Sequence, residues 1–172
     1  MSDQGHRYAS QVSTASETFA ANRTAQLALV ERLQALLGRA EELSEAARPR
    51  FEKRGQLLPR ERLARLLDPG SPFLEIGNMA GYLVDDKDPE TSVPGATQIV
   101  GIGYVGGVRC MLQVDDSGIN AGAMTRTSTR KGIRAMDIAL QQKLPFVHLV
   151  ESAGANLLDY EVEMWMLGGG IF

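Results

Sequence analysis

The run Phe146-Val-His-Leu-Val-Glu-Ser-Ala-Gly-Ala-Asn-Leu157 joins a short apolar stretch to a loop with almost no side chains. Phe146, Val147, Leu149 and Val150 predict a buried strand over 146–150. The chain then empties into Ser152-Ala153-Gly154-Ala155, where nothing bulky shields the peptide N–H groups. Bare amides let a substrate oxygen approach closely enough to accept hydrogen bonds from the main chain, which suits a reaction that must stabilise an enolate or another oxyanion. A second bare stretch, Asp115-Asp-Ser-Gly-Ile-Asn-Ala-Gly-Ala-Met124, precedes it. An ordinary strand exit has the same composition, so the surroundings decide.

Other chemistries find less support. The two histidines, His6 and His148, are far apart, and His148 falls inside the predicted strand, where a satisfied core residue is the plainer reading. No cysteine cluster or His-x-x-x-His pair suggests a metal. Gly101-x-Gly103-x-x-Gly106 has the spacing of a dinucleotide fingerprint, but that motif must open a helix, and residues 108–114 read as another strand. A tight hairpin at Gly106-Gly107 accounts for it better. Cys110, the single cysteine, sits in an apolar run and reads as buried filler.

The 172 residues suffice for one domain with a sizeable core or for part of a larger one. A net charge of −3 and the absence of a basic field argue against nucleic acid, and no stretch approaches the length of a membrane span. The polar start has no compact apolar segment like a signal peptide. A cytoplasmic, reducing setting follows as the expectation.

These loops need elements to position them. Residues 1–15 are polar and read as a disordered start. From 16 to 47 the apolar residues Leu27, Val30, Leu33, Leu36, Leu37, Ala40 and Leu43 form a helical stripe, opposite Arg23, Glu31, Arg32, Arg39 and Glu42. This amphipathic helix suits the chain's own core or a partner. Pro59 starts a short helix with Leu63, Leu66 and Leu67 inward, and Asp68-Pro69-Gly70 ends it. Residues 16–72 thus read as a helical arm. The basic run over 48–72 reads as a solvated face or subunit contact, with phosphate binding as the alternative. A strand at 73–76, an acidic loop at 83–96, a hairpin of 98–104 with 108–114, a helix over 127–143 closed by Pro145, and the strand at 146–150 follow. Further helix is predicted after the loop. This order describes repeated β-β-α units in an α/β layered core.

From about Arg48 onward the chain resembles the N-terminal part of the carboxyltransferase (β) subunits of biotin-dependent acyl-CoA carboxylases, the propionyl- and methylcrotonyl-CoA carboxylase family. The resemblance is carried by Gln56-Leu-Leu-Pro-Arg-Glu-Arg-Leu63, Leu67-Asp-Pro-Gly-Ser-Pro-Phe-Leu-Glu75, Ile102-Gly, Ile133-Arg-Ala and Leu149-Val-Glu-Ser-Ala-Gly-Ala-Asn156, in that order and spacing. It implies a crotonase-like (ClpP/crotonase) fold, incomplete here, with residues 73–172 as the first part of the N-terminal carboxyltransferase domain. It also implies transfer of a carboxyl group from carboxybiotin, carried on a biotin carboxyl carrier or biotin carboxylase subunit, to an acyl-CoA enolate. A homo-oligomer in the full-length form is implied as well. Family members continue well past this length and hold a second, biotin-receiving domain, so the chain alone is expected to be inactive.

Mapped residue by residue, the family's Asp-Ser-Gly-Gly-Ala loop corresponds to Glu151, Ser152, Ala153, Gly154 and Ala155. The resemblance implies the N–H groups of Ala153 and Gly154 as oxyanion donors. Two departures stand out: glutamate replaces the aspartate, and alanine replaces the first glycine, retaining the N–H but adding a methyl group. Gly118 and Gly122 shape the neighbouring loop, with Ser152 and Ala155 beside the hole. Arg130 and Lys131, followed by Arg134, could meet coenzyme A phosphates or simply form a solvated helix face. Met124 could line an acyl channel or pack in the core. Two rivals remain open: a non-catalytic paralogue or assembly subunit that docks through its leading helix, and a biotin-independent crotonase-like acyl-CoA enzyme using Glu151, Asp115 or Asp116 as its carboxylate.

Overall fold

The computed structural model describes residues 9–157, 162, 163 and 166. Helix α1 spans Glu17–Ala46, α2 Arg48–Lys53 and α3 Pro59–Leu66. Strand β1 is Leu74–Glu75, β2 Gln98–Val105 and β3 Val108–Asp115, followed by a 3-10 turn at Asn120–Gly122, α4 at Arg126–Gln142 and β4 at Phe146–Leu149. The strands form one mixed sheet in the order β1-β2-β3-β4. The first three pair antiparallel, whereas β3 and β4 are parallel and are joined through α4. A parallel pair requires such a crossover connection, because a tight turn cannot bring the chain back to the same end of the sheet.

Strand alternation divides the core into two faces. Cys110, Leu112 and Val114 of β3, with Ile99, meet Leu63, Leu66 and Leu67 on the α3 side. Val100 and Met111 meet Ala135, Ala139 and Ile138 of α4 on the other. Buried Cys110 is filler, as its apolar run predicts.

The glycine motif resolves into three structural needs. A Cβ at Gly101 would fall 2.3 Å from Phe73 and one at Gly103 2.4 Å from Leu67, so both glycines let side chains lie directly on β2. Gly106 and Gly107 have φ of +58° and +77°, the left-handed pair a two-residue hairpin needs. The Asp68 carboxylate accepts both of their N–H groups at 2.7 Å.

Helix α4 opens on a reciprocal cap: Thr125 Oγ1 accepts from the Ser128 N–H, while Ser128 Oγ accepts from the Thr125 N–H. At α3 the Glu61 carboxylate accepts the Leu58 N–H and pairs with Arg48.

The chain divides into two compact units, residues 1–35 and 36–172. Leu58 and Leu63 are buried, and Leu63 joins the sheet's core, which binds α3 to the strands. Within the first unit, Leu27, Leu29, Val30 and Leu33 of α1 are exposed. In the second, Leu36, Leu37 and Ala40 are half-buried, and the Arg39 guanidinium donates to the carbonyls of Pro89 and Ser92. The first eight residues of the predicted disordered start, and most of the helix predicted after the loop, lie outside the described residues. No helix among the described residues is long and apolar enough to cross a membrane.

Candidate functional site

Beyond β4 the chain runs alongside the second bare stretch and pairs with it. Met124 and Ala155 form an isolated parallel bridge: the Met124 N–H donates to the Gly154 carbonyl at 2.8 Å, and the Asn156 N–H donates to the Met124 carbonyl at 3.1 Å. Gly122 permits this approach, since its φ is +65° and a Cβ there would fall 2.5 Å from the Glu151 carbonyl oxygen. Gly118 is confined likewise by Ser44 and Asp116. The structure therefore brings together Gly122, Met124, Ser152, Ala153, Gly154 and Ala155, while Gly118 packs against Ser44 and Asp116.

The same pairing corrects one expected role. The Ala153 N–H donates to the Ala121 carbonyl at 3.0 Å, so that hydrogen is already committed to the main chain. The Gly154 N–H also has a partner, but a different kind: it donates at 3.0 Å to Ser152 Oγ, whose own hydrogen goes to the Gly122 carbonyl at 2.6 Å. A rotatable hydroxyl can yield to a ligand oxygen; a carbonyl fixed in a backbone pair cannot do so without breaking the pair. The Ser152 N–H has no acceptor among the described residues.

A cavity of about 310 Å³ opens beside this segment, lined by Arg50, Phe51, Arg54, Gln56, Ser117, Ala121, Glu151, Ser152 and Ala153. Arg50 donates to the Ser117 carbonyl at 2.6 Å and lies 5.5 Å from the centre of the Phe51 ring. The Arg54 guanidinium has no ion-pair partner among the described residues. These arginines, both exposed, belong to the basic run over 48–72 that reads in the sequence as a solvated face or subunit contact. The cluster of cations just before Gly55 was the available signal.

The other expected cations lie elsewhere. Lys131 is buried, and its Nζ donates to the carbonyls of Gly95 (3.0 Å) and Gln98 (2.6 Å). This corrects its expected role as a phosphate-binding cation, because its ammonium is spent on the main chain. Burial pushes it down to about 8, opposed by Glu75. Arg130 and Arg134 border a separate cavity of about 410 Å³ floored by Ile76, Val100, Ala135 and Ile138.

The three carboxylates considered as bases are all engaged. Glu151 pairs with Arg62 at 2.6 Å. Asp116 accepts from Ser44 Oγ at 2.8 Å and from the Gly118 N–H at 3.0 Å, and burial pushes it up despite these bonds. Asp115 accepts from Gln98 Nε2, His148 Nε2 and the Glu151 N–H. His148 is thus partnered rather than a ligand, although its side chain is 29% exposed at the sheet edge. Since Nε2 faces an Asp115 oxygen at 3.1 Å, a proton belongs between them, and the Gln113 amide 3.2 Å away meets that N–H best through its oxygen. No cluster of three metal-ligating side chains occurs among the described residues.

Comparison with known proteins gives this geometry a context. A family model described as the carboxyl transferase domain matches residues 50–172. A biotin-dependent 3-methylcrotonyl-coenzyme A carboxylase beta1 subunit of Mycobacterium tuberculosis is 45% identical over 115 residues, covering 66% of this chain and 21% of that protein. The crystal structure of the P. aeruginosa geranyl-CoA carboxylase beta subunit superposes with a TM-score of 0.85 at 44% identity, covering 95% of this chain and 30% of that one. Transcarboxylase 12S, described as a hexamer and solved with methylmalonyl-coenzyme A, gives a TM-score of 0.66 at 26% identity, covering 81% and 27%. The α/β mixed sheet therefore matches solved carboxyltransferases, and the chain spans about a fifth of the length of the curated relatives it matches.

Proposed function

Because this chain belongs to the carboxyl transferase domain family, we propose that it forms the acyl-CoA side of a biotin-dependent carboxyl transfer. The acyl carbon loses a proton before it attacks, and negative charge gathers on the thioester oxygen. When bound, carboxybiotin supplies the carboxyl group and accepts that proton; this chain's residues hold and orient the thioester. Gly154 N–H is the assigned donor, with the Ser152 hydroxyl rotating off it as the ligand oxygen arrives. One such donor is worth ~3 kcal/mol in the transition state. Gly118, Gly122, Met124 and Ala155 frame the donor, while Arg50 and Arg54 suit the phosphates of coenzyme A. The succession β2-β3-α4-β4 supports a crotonase-like repeat. A biotin-bearing partner subunit, a homo-oligomeric assembly and a cytoplasmic setting belong to the same proposal.

The observation that carries this reading is the small-residue segment laid against Gly122 at the wall of a cavity with two arginines. Expression with a biotin-bearing carboxylase subunit and capture on streptavidin tests the partnership, and thermal shift with 3-methylcrotonyl-CoA tests the ligand. Co-capture with an acyl-CoA-dependent shift supports the proposal; no shift in the captured complex overturns it.

A non-catalytic assembly subunit is favoured by one observation, that the Ala153 and Gly154 amides both already have acceptors. That reading predicts co-capture with no acyl-CoA shift. A biotin-independent enzyme has less support, because Glu151, Asp115 and Asp116 are all engaged.

A further inference from the structure

Asp115 closes β3 and is 3% exposed, yet it carries a carboxylate. Its Oδ1 accepts from Gln98 Nε2 at 3.2 Å and from His148 Nε2 at 3.1 Å, and its Oδ2 accepts from the Glu151 N–H at 3.2 Å. One side chain therefore ties together β2, β4 and the first peptide of the bare segment. An apolar residue would pack at this depth without the cost of desolvating an acid. Neutral asparagine, of the same shape, has one acceptor oxygen and one NH₂ group, and cannot accept from both sides at once.

We infer that Asp115 is a positioning residue: it fixes the angle at which the chain leaves β4 and so aims the Gly154 N–H, without itself touching substrate. The inference rests on the reading of residues 151–155 as the thioester-facing segment. Downstream, Ser152 Oγ and the Ala153 N–H donate to the carbonyls of Gly122 and Ala121, so the bond at Glu151 and these two together set the donor's direction. Asp115 and Glu151 are 36 positions apart in sequence, and only the register of β3 against β4 brings them together.

The test is residue-resolved amide exchange together with calorimetric titration of 3-methylcrotonyl-CoA. Asp115→Ala, which removes both oxygens, is expected to speed exchange at Glu151 by about tenfold, the loss of one hydrogen bond to a charged acceptor, and to weaken ligand binding while β2–β3 amides keep their protection. His148→Gln retains an N–H donor toward Asp115 and is expected to leave Glu151 exchange unchanged. Equal loosening of β2–β3, or wild-type exchange at Glu151 in Asp115→Ala, overturns the inference. Should that variant not fold, the wild type still decides. Its Glu151 amide must exchange about tenfold more slowly than that of Ser152, which has no acceptor among the described residues, and equal rates overturn the claim. If wild type binds no 3-methylcrotonyl-CoA yet Asp115→Ala frees Glu151 selectively, the anchor stands and the carboxyl-transfer reading falls.

Discussion

The Ser152 hydroxyl covers the Gly154 N–H, accepting it at 3.0 Å while donating to the Gly122 carbonyl at 2.6 Å. On the proposed reading, the side chain two residues upstream holds the position that a thioester oxygen would take, and binding would exchange one acceptor for another. Ser152→Ala removes the competitor. We expect acyl-CoA binding to tighten about five-fold, the equivalent of roughly 1 kcal/mol for one internal hydrogen bond, with a similar loss of folding stability. Calorimetry and urea unfolding measure the two; weaker binding would mean that the hydroxyl contacts the ligand directly.

Gly122→Ala tests the close approach of the two bare segments. The added methyl group would lie 2.5 Å from the Glu151 carbonyl oxygen at a φ of +65°. Backbone must move, and about 2 kcal/mol of stability should go with it. Acyl-CoA binding is expected to disappear in the folded fraction. Retained affinity would place the ligand elsewhere.

Much of the sheet was legible in the sequence, because its signals are local. Gly106-Gly107 between two strand-like runs specifies the hairpin, and Pro145 follows the end of α4. The apolar faces of β3 follow from its period of two. The details of the site come from pairings distant in sequence. Arg62 and Glu151 are 89 positions apart, and Arg50 and Ser117 are 67 apart. Lys131, between Arg130 and Arg134, looks like part of a solvated face until the turn at 95–98 supplies two carbonyls for its ammonium. The Ala153 amide looks free until Ala121 is placed beside it, since a bare loop exposes its N–H groups to protein acceptors as readily as to ligand.

Lys131 also makes stability depend on pH. Its folded-state value is lowered from 10.5 to about 8, so between these values the unfolded chain holds the additional proton. Stability should therefore climb as pH rises from 8 to 10.5, by about 3 kcal/mol across the window, and the increment is absent below pH 8. Subtracting the stability of Lys131→Met at each pH isolates this slope in urea titrations. A flat difference would mean that the amine is solvated.

Asp68 anchors the hairpin from outside it, accepting the N–H groups of Gly106 and Gly107. Asp68→Ala should cost about 2 kcal/mol, as expected for losing a charged acceptor shared by two donors. Chemical denaturation reads this directly, and acyl-CoA affinity should remain at the wild-type level because the turn contributes nothing to the cavity beside Glu151. A loss below 0.5 kcal/mol, within the usual spread for surface substitutions, would show the turn stands without it.

The most direct measurement is amide chemical-shift mapping of the labelled protein titrated with 3-methylcrotonyl-CoA against free coenzyme A. Coenzyme A alone should perturb residues around Arg50 and Arg54, and only the thioester should add a saturable shift at Gly154. If the thioester binds and the Gly154 N–H resonance does not move, this amide does not hold the substrate oxygen, and the account of the site is contradicted.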